Sequence, residues 1–326
     1  MKKINWGILG CGDVTEVKSG PAFSKVKNSS LTAVMRRDTE KAKDYAQRHH
    51  VPKWYDNTEK LINDPDVNAI YIATPPSSHE EYTLEAIAAG KPVYVEKPMT
   101  VNFDSATKMM NAAKEKNIKL VIAHYRREQP YFKKIKQVLD EKFIGDIRFA
   151  RLDFCKKLLS HEELKLPKNA WRVNTSIAGG GLFHDLAPHQ LDLMYYFFGF
   201  VENATGFSTN QSHRYNADDV VSGNIHFKNG VMFNGLWCFN VGIQNEKDSC
   251  EIAGSEGKIS FSVFGQQKLS VTKNNETEIT VFKPLKHVQQ PMIEKVVDYF
   301  LDEGPNPCSA EDGAEVMRLM DQFTRK

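Results

Sequence analysis

At 326 residues the chain exceeds the usual size of one domain, so two domains, each with its own core, are the expected organisation. A net charge of +2 gives no general attraction to nucleic acid or anionic membrane, and the longest apolar runs fall short of a membrane span. Five cysteines (Cys11, Cys155, Cys238, Cys250, Cys308) lie far apart with no CxxC pairing, which argues against a zinc ribbon or a disulfide framework and for reduced, mostly buried thiols.

Ile4 to Leu9 reads as a buried strand. It starts too close to the amino terminus to leave room for a signal peptide, so a cytoplasmic protein is expected. The strand runs into Gly10-Cys11-Gly12-Asp13-Val14-Thr15, an order of strand, glycine turn and helix that aims backbone N–H groups at a pyrophosphate. Thr15 stands where the third glycine of GxGxxG would be, which predicts slightly looser packing of helix on strand. A second strand, Leu31 to Met35, ends in Arg36-Arg37-Asp38, where an NAD-binding unit normally carries a carboxylate for the ribose diol. Arginine there can grip a phosphate or stack on adenine, which points to NADP. The competing reading is that the pair merely opens a solvated charged helix over 37–48.

Val67 to Ala73 is the next buried strand, followed by Thr74-Pro75-Pro76-Ser77-Ser78-His79 and a helix ending near Gly90. Loops at the carboxyl ends of parallel strands line the ligand crevice, so Thr74, Pro75 and His79 are candidate cofactor contacts; an exposed helix-start histidine is the alternative for His79. Lys91 to Pro98 contains a short strand ending in Glu96-Lys97-Pro98. A lysine there can donate to a substrate oxygen, and the proline can fix the backbone in cis. Ala123 to Arg127 closes the sixth strand and leads through Pro130 into a helix. Ile147 to Phe154 alternates as a strand, and Lys156 to Asn174 reads as a substrate wall carrying Trp171 and Arg172, an aromatic face for a sugar ring and a cation for hydroxyls or a carboxylate.

The stretch from Gly179 to Asp192 holds three glycines and then a helix. Pro188 belongs in its first turn, and Leu191, Met194, Tyr195 and Phe198 follow at helical spacing. Asp185, His189 and Asp192 are four and three apart and share one face if the helix reaches back to Asp185. A histidine beside a carboxylate can exchange a substrate proton; a helix cap with a surface pair is the competing reading. From Ala204 onward seven strand-like runs recur, at 204–208, 220–227, 231–238, 249–253, 258–263, 269–273 and 278–282. Turns between them include Lys228-Asn229-Gly230 and Asn274-Asn275. They predict a mostly antiparallel sheet with one face on helices and the other free to join a second subunit. Pro291 to Asp302 and Ala310 to Thr324 read as amphipathic helices.

The series GILGCGDVT, ATPPSSH, VYVEKPM and AGGGLFHDLAPHQLDL resembles the glucose-fructose oxidoreductase and inositol dehydrogenase family, Gfo/Idh/MocA, over nearly the whole chain. The resemblance implies an α/β fold: an N-terminal Rossmann domain with a parallel sheet (1–123) and a C-terminal α/β domain with a large, mostly antiparallel open sheet (124–326). Its last helix would pack back on the first domain. It implies that Lys97, Asp185 and His189 meet at the nicotinamide: His189 moves the hydroxyl proton, Lys97 polarises the oxygen and Asp185 orients His189 or the substrate. Tyr125 and Arg126 approach the active site on the same basis. The expected cofactor set is Gly10, Gly12, Asp13, Val14, Arg36, Arg37, Thr74, Pro75, His79, Glu96 and Lys97. The arginine pair matches NADP-using members that resemble dihydrodiol dehydrogenases and anhydrofructose reductases, with NAD possible. The segment from Asp185 to His189 lacks the glycine often found between these two positions, which predicts a differently shaped pocket.

The expected activity is hydride transfer between the nicotinamide and a hydroxyl or carbonyl carbon of a sugar, polyol or related small molecule, in a homodimer or homotetramer without nucleic-acid or membrane partners. The alternatives are a sensor on the same fold and a nicotinamide-assisted glycosidase. A metal centre from His184, Asp185 and His189 is disfavoured, because adjacent helical residues point apart.

Overall fold

The computed structural model describes residues 2–324, and the chain divides into two compact units. The first takes the residues up to 129 together with 285–315; the second takes 130–284 and the residues from 316 on. The sequence places the boundary after residue 123 and the last helix on the first domain; instead the first unit runs to 129 and takes back 285–315, while the last helix (Ala310–Thr324) belongs from 316 on to the second unit, where Phe323 packs against Gly206 and Gly223.

Six strands form the sheet of the first unit: β1 (Ile4–Leu9), β2 (Ser29–Met35), β3 (Lys53–Tyr55), β4 (Ala69–Ile72), β5 (Val93–Val95) and β6 (Leu120–Ile122), in the order β3-β2-β1-β4-β5-β6. All neighbours pair in parallel. Such strands are covered on both faces, which is why β4 and β5 are continuous apolar runs with every residue buried. The order reverses between β1 and β4, so the crevice of the sheet opens where Gly10 and Thr74 leave their strands. Beneath lies an aromatic cluster: the Trp6 ring is 4.8 Å from Phe23, 6.4 Å from Tyr94 and 5.6 Å from Phe300. Phe300 lies on the returning helix Gln290–Phe300, so that segment completes this core and belongs to it.

The second unit is built on eight strands: β7 (Ile147–Lys157), β8 (Val201–Thr209), β9 (Val220–Phe227), β10 (Met232–Val241), β11 (Lys247–Gly254), β12 (Gly257–Phe261), β13 (Lys268–Lys273) and β14 (Glu276–Val281). Their order is β14-β13-β12-β11-β7-β10-β9-β8, and every pairing is antiparallel except β7 with β10. Between β7 and β8 the chain runs through the helix Gly181–Phe198, which covers one face of the sheet; its Phe183 ring lies 5.3 Å from Trp237 of β10. Gly206 and Gly223 sit opposite each other on β8 and β9 and leave a hollow that Phe323 fills; a Cβ at Gly223 would come within 2.3 Å of its ring. On the other face Phe149, Phe207 and Met232 are 45%, 79% and 50% exposed, with Met232 paired directly to Phe149.

The helix around His189 begins earlier than the proline predicts. It spans Gly181–Phe198 and holds Pro188 in its interior. Pro188 has no N–H, so the His184 carbonyl loses its helical partner, a defect that costs about 3 kcal/mol in an exposed helix and is offset here by burial of the apolar Leu182, Phe183, Ala187 and Leu191 on the same helix. Among the described residues no helix is long and apolar enough to cross a membrane.

Candidate active site

At the end of β1, Gly10 has φ of +89°, and a Cβ there would lie 2.7 Å from Thr74 Cγ2 and 2.9 Å from its nitrogen. Only glycine fits. Gly12 contrasts with it, because a Cβ there would meet nothing nearer than Gly10 O at 4.0 Å. The short helix that follows, Asp13–Val17, has no side-chain cap on its first N–H groups. An open approach over uncapped amides is the cradle that a dinucleotide pyrophosphate requires, so the residues present fit that cofactor. Thr15 is fully buried, its hydroxyl turned back to Gly12 O at 2.8 Å, and the close approach moves to Gly20, where a Cβ would be 2.2 Å from Thr15 O. Burial pushes the Cys11 thiol up to about 11, which makes it a packing residue and not a nucleophile.

Arg36 is half-buried and arches back over this loop, donating from Nη1 to Cys11 O at 3.1 Å. Arg37 and Asp13 are exposed and Val14 half-buried. Thr74 and Pro75 are half-buried at the mouth of β4, tied to the following turn by Ser78 Oγ at 2.8 Å from Thr74 Oγ1 and 3.0 Å from Pro75 O. His79 is 1% exposed, and its ring is engaged by the protein: Nε2 is 2.7 Å from Thr74 O, while Nδ1 is 3.1 Å from Pro98 O and 3.3 Å from Met99 O. Burial lowers its pKa.

Lys97 is half-buried at the end of β5, and the Lys97–Pro98 peptide is cis, as the sequence suggested. Glu96 beside it is buried inside the first unit. His124 is also buried, and burial with the charges of Arg127 and Lys97 holds its imidazole well below the usual histidine range. Arg127 pairs with Asp312 at 2.7 Å, which accounts for it as a structural residue, and the Arg126 guanidinium lies 5.8 Å from the Tyr125 ring.

In the second unit three sequence-nominated residues come together. Arg172 stacks on Trp171, its Cζ 4.7 Å from the ring centroid, and donates from Nε to Asp185 Oδ2 at 2.8 Å. They reach one another from separate elements: Trp171 and Arg172 follow the short helices His161–Lys165 and Pro167–Ala170, and Asp185 lies on Gly181–Phe198. His189 is one turn beyond Asp185, 5% exposed, with its ring edge-on to Phe264 at 5.5 Å. The glycine run makes the turn possible: Gly179 and Gly181 have φ of +90° and +71°, and a Cβ on Gly180 would collide with the His184 ring. That ring is buried and its pKa is pushed down to about 4 by burial. Gln190 on the same helix accepts from Trp237 Nε1 at 2.6 Å, anchoring the helix to β10. Among the described residues no three His, Cys, Asp or Glu side chains gather as a metal-binding group. Nothing in the sequence marks the Arg172–Asp185 pair, because no spacing rule links a turn residue to a later helix.

A parallel sheet with a glycine loop at its switch point is the architecture of a dinucleotide-binding domain, and the second unit carries Asp185 and His189 one turn apart. Residues 4–124 match the oxidoreductase family with NAD-binding Rossmann fold, and residues 132–260 match the GFO/IDH/MocA C-terminal domain. The chain belongs to the Gfo/Idh/MocA oxidoreductase family. It is 49% identical to Oxidoreductase P35 of Formosa agariphila, over 98% of each chain. It is 31% identical to trans-1,2-dihydrobenzene-1,2-diol dehydrogenase of Mus musculus, over 78% of this chain and 73% of that one. The aldose-aldose oxidoreductase of Caulobacter crescentus has the same fold, with a TM-score of 0.86 at 22% identity, covering 98% of this chain and 96% of the other.

Proposed function

We propose that this oxidoreductase prefers NADP and transfers hydride between the nicotinamide and a hydroxyl or carbonyl carbon of a sugar, polyol or related small molecule. The observation that carries the substrate side is the Trp171–Arg172–Asp185 group one helical turn from His189. An aromatic face suits a sugar ring, and the guanidinium suits its hydroxyls. Names of relatives point the same way, one acting on a dihydrodiol and one on aldoses. The cofactor, when bound, supplies or accepts the hydride.

The protein side of the chemistry is a proton and a charge. Lys97 donates a hydrogen bond to the reacting oxygen and stabilises its negative charge. His189 takes the hydroxyl proton in oxidation and returns it in reduction. Asp185 holds Arg172 and with it the substrate, a role supported by their 2.8 Å bond. Gly10, Gly12, Asp13, Val14, Thr74 and Pro75 bind the dinucleotide, and Arg36 and Arg37 read its 2′-phosphate. Arg36 is already drawn over the loop by Cys11 O. Tyr125 and Arg126 line the substrate path. The exposed Phe149, Phe207 and Met232 on the open sheet face support a homodimer or homotetramer.

Titration with NADPH and separately NADH, followed by nicotinamide fluorescence, tests the cofactor reading. Tighter binding of NADPH is expected, and equal affinities would remove Arg36 from phosphate recognition. Aldoses, polyols and diols screened with the preferred cofactor then test the substrate class; turnover confined to other chemical classes would overturn it.

A further inference from the structure

Glu96 is a buried carboxylate placed immediately before Lys97. Its Oε1 accepts from the Tyr71 hydroxyl at 2.6 Å and from Gln289 Nε2 at 2.5 Å, and its Oε2 accepts from the Lys97 backbone N–H at 3.2 Å. The Tyr94 hydroxyl donates to Gln289 Oε1 at 3.0 Å, and the Tyr71 hydroxyl lies 3.1 Å from Ser19 Oγ. Ser19 and Gln289 are fully buried, as are Tyr71 and Tyr94. The carboxylate pushes both tyrosines further up, on top of burial, so they remain hydroxyl donors.

Taking a carboxylate out of water costs several kcal/mol unless donors replace the lost water, and a packed apolar side chain in its place would serve stability at least as well. Stability alone therefore does not explain Glu96. Its second oxygen gives the reason, because it is bonded to the main chain of Lys97. On the far side of Lys97, the buried His79 ring packs against the main chain, its Nδ1 3.1 Å from Pro98 O and 3.3 Å from Met99 O. The lysine thus stands between two segments whose backbones are tied down.

We infer that Gln289 and Tyr71 are positioning residues of the reaction: through Glu96 they fix the main chain from which the Lys97 ammonium is aimed. Gln289 opens the helix that returns from the second half of the chain and lies 193 positions from Glu96, so no local motif reveals it. The inference rests on the role proposed above for Lys97.

Gln289→Leu and Tyr71→Phe each remove one donor to Glu96 at nearly constant volume. Each is expected to leave NADPH affinity unchanged within about threefold and KM nearly constant, and to lower kcat by about tenfold to a hundredfold, the scale of an ångström-sized misplacement. In a Lys97→Ala background the same substitutions should change the residual turnover by less than about twofold, because there is no ammonium left to aim. Equal factors in both backgrounds, or no loss in the wild type, would overturn the inference. Amide hydrogen exchange at Lys97 needs no turnover: its N–H should exchange faster in Gln289→Leu, and an unchanged rate would show that Gln289 does not hold the clamp. If Lys97→Ala alone leaves turnover intact, the role of Lys97 falls, and the exchange rates still decide whether the clamp exists.

Discussion

At the nucleotide end the atoms proposed to bind are mostly main-chain atoms at strand termini, held by the sheet itself, whereas on the helix Gly181–Phe198 the proposed groups are side chains held by other side chains. Gly10 cannot be replaced, because its φ of +89° and the 2.7 Å approach of Thr74 fix the backbone. Asp185 instead takes its place from Arg172, which takes its own from Trp171. A backbone-built site is determined locally and tolerates change around it. A side-chain-built site is set by contacts distant in sequence and is retuned by single substitutions. Lys97 combines both modes, a side chain on a backbone that Glu96 and His79 tie down.

The largest expected effect tests that combination. Lys97→Ala should lower turnover by about a hundredfold or more, the scale for losing an electrostatic donor, with the nucleotide dissociation constant unchanged. Equal loss of binding would place Lys97 with the backbone-built half; unchanged turnover would remove it from the chemistry.

Next in size is a pH effect in the second unit. His184 has its pKa lowered to about 4 in the folded protein, so between that value and the unfolded value of about 6.5 the unfolded chain binds more protons. This contribution is fully present above pH 6.5 and is lost as pH falls through the window, by about 2 kcal/mol at pH 5. Denaturant unfolding at the two pH values should show a smaller acid loss in His184→Gln than in wild type. Identical losses would mean that the ring is not held neutral by burial.

Arg36→Asp should weaken NADPH binding by about tenfold or more and NADH binding far less, as for loss of a bidentate phosphate grip. Parallel weakening of both would mean that Arg36 supports the loop through Cys11 O and does not read the phosphate. The smallest effect is expected for Arg172→Met, which keeps a chain on Trp171 but frees Asp185: KM for sugars should rise about tenfold with kcat less affected. A drop in kcat alone would tie the arginine to His189 and not to binding.

The same contrast explains what was legible in the sequence. Glycine at Gly10 and the Glu96-Lys97-Pro98 strand end impose local backbone states, and both could be placed from residue order alone. The alternation and turns after Ala204 gave the antiparallel sheet for the same reason. Pro188 points to a helix start close to it, whereas the helix reaches back to Gly181, where burial of Leu182, Phe183, Ala187 and Leu191 outweighs the proline's local preference. His79 reads from its place after β4 as either a cofactor contact or an exposed helix-start histidine, whereas the structure buries its ring among the carbonyls of Thr74, Pro98 and Met99. Gln289 and the Arg172–Asp185 pair were invisible, since nothing in their own neighbourhoods constrains them.

The most direct test of the central claim is the fate of the hydride. NADPH deuterated at both C4 positions, incubated with the protein and a panel of keto sugars and aldoses, should yield products with one deuterium on the new carbinol carbon, and Lys97→Ala should suppress that label in proportion to turnover. Conversion of a sugar with no deuterium in the product, or of none while NADPH stays bound and unoxidised, would contradict net hydride transfer.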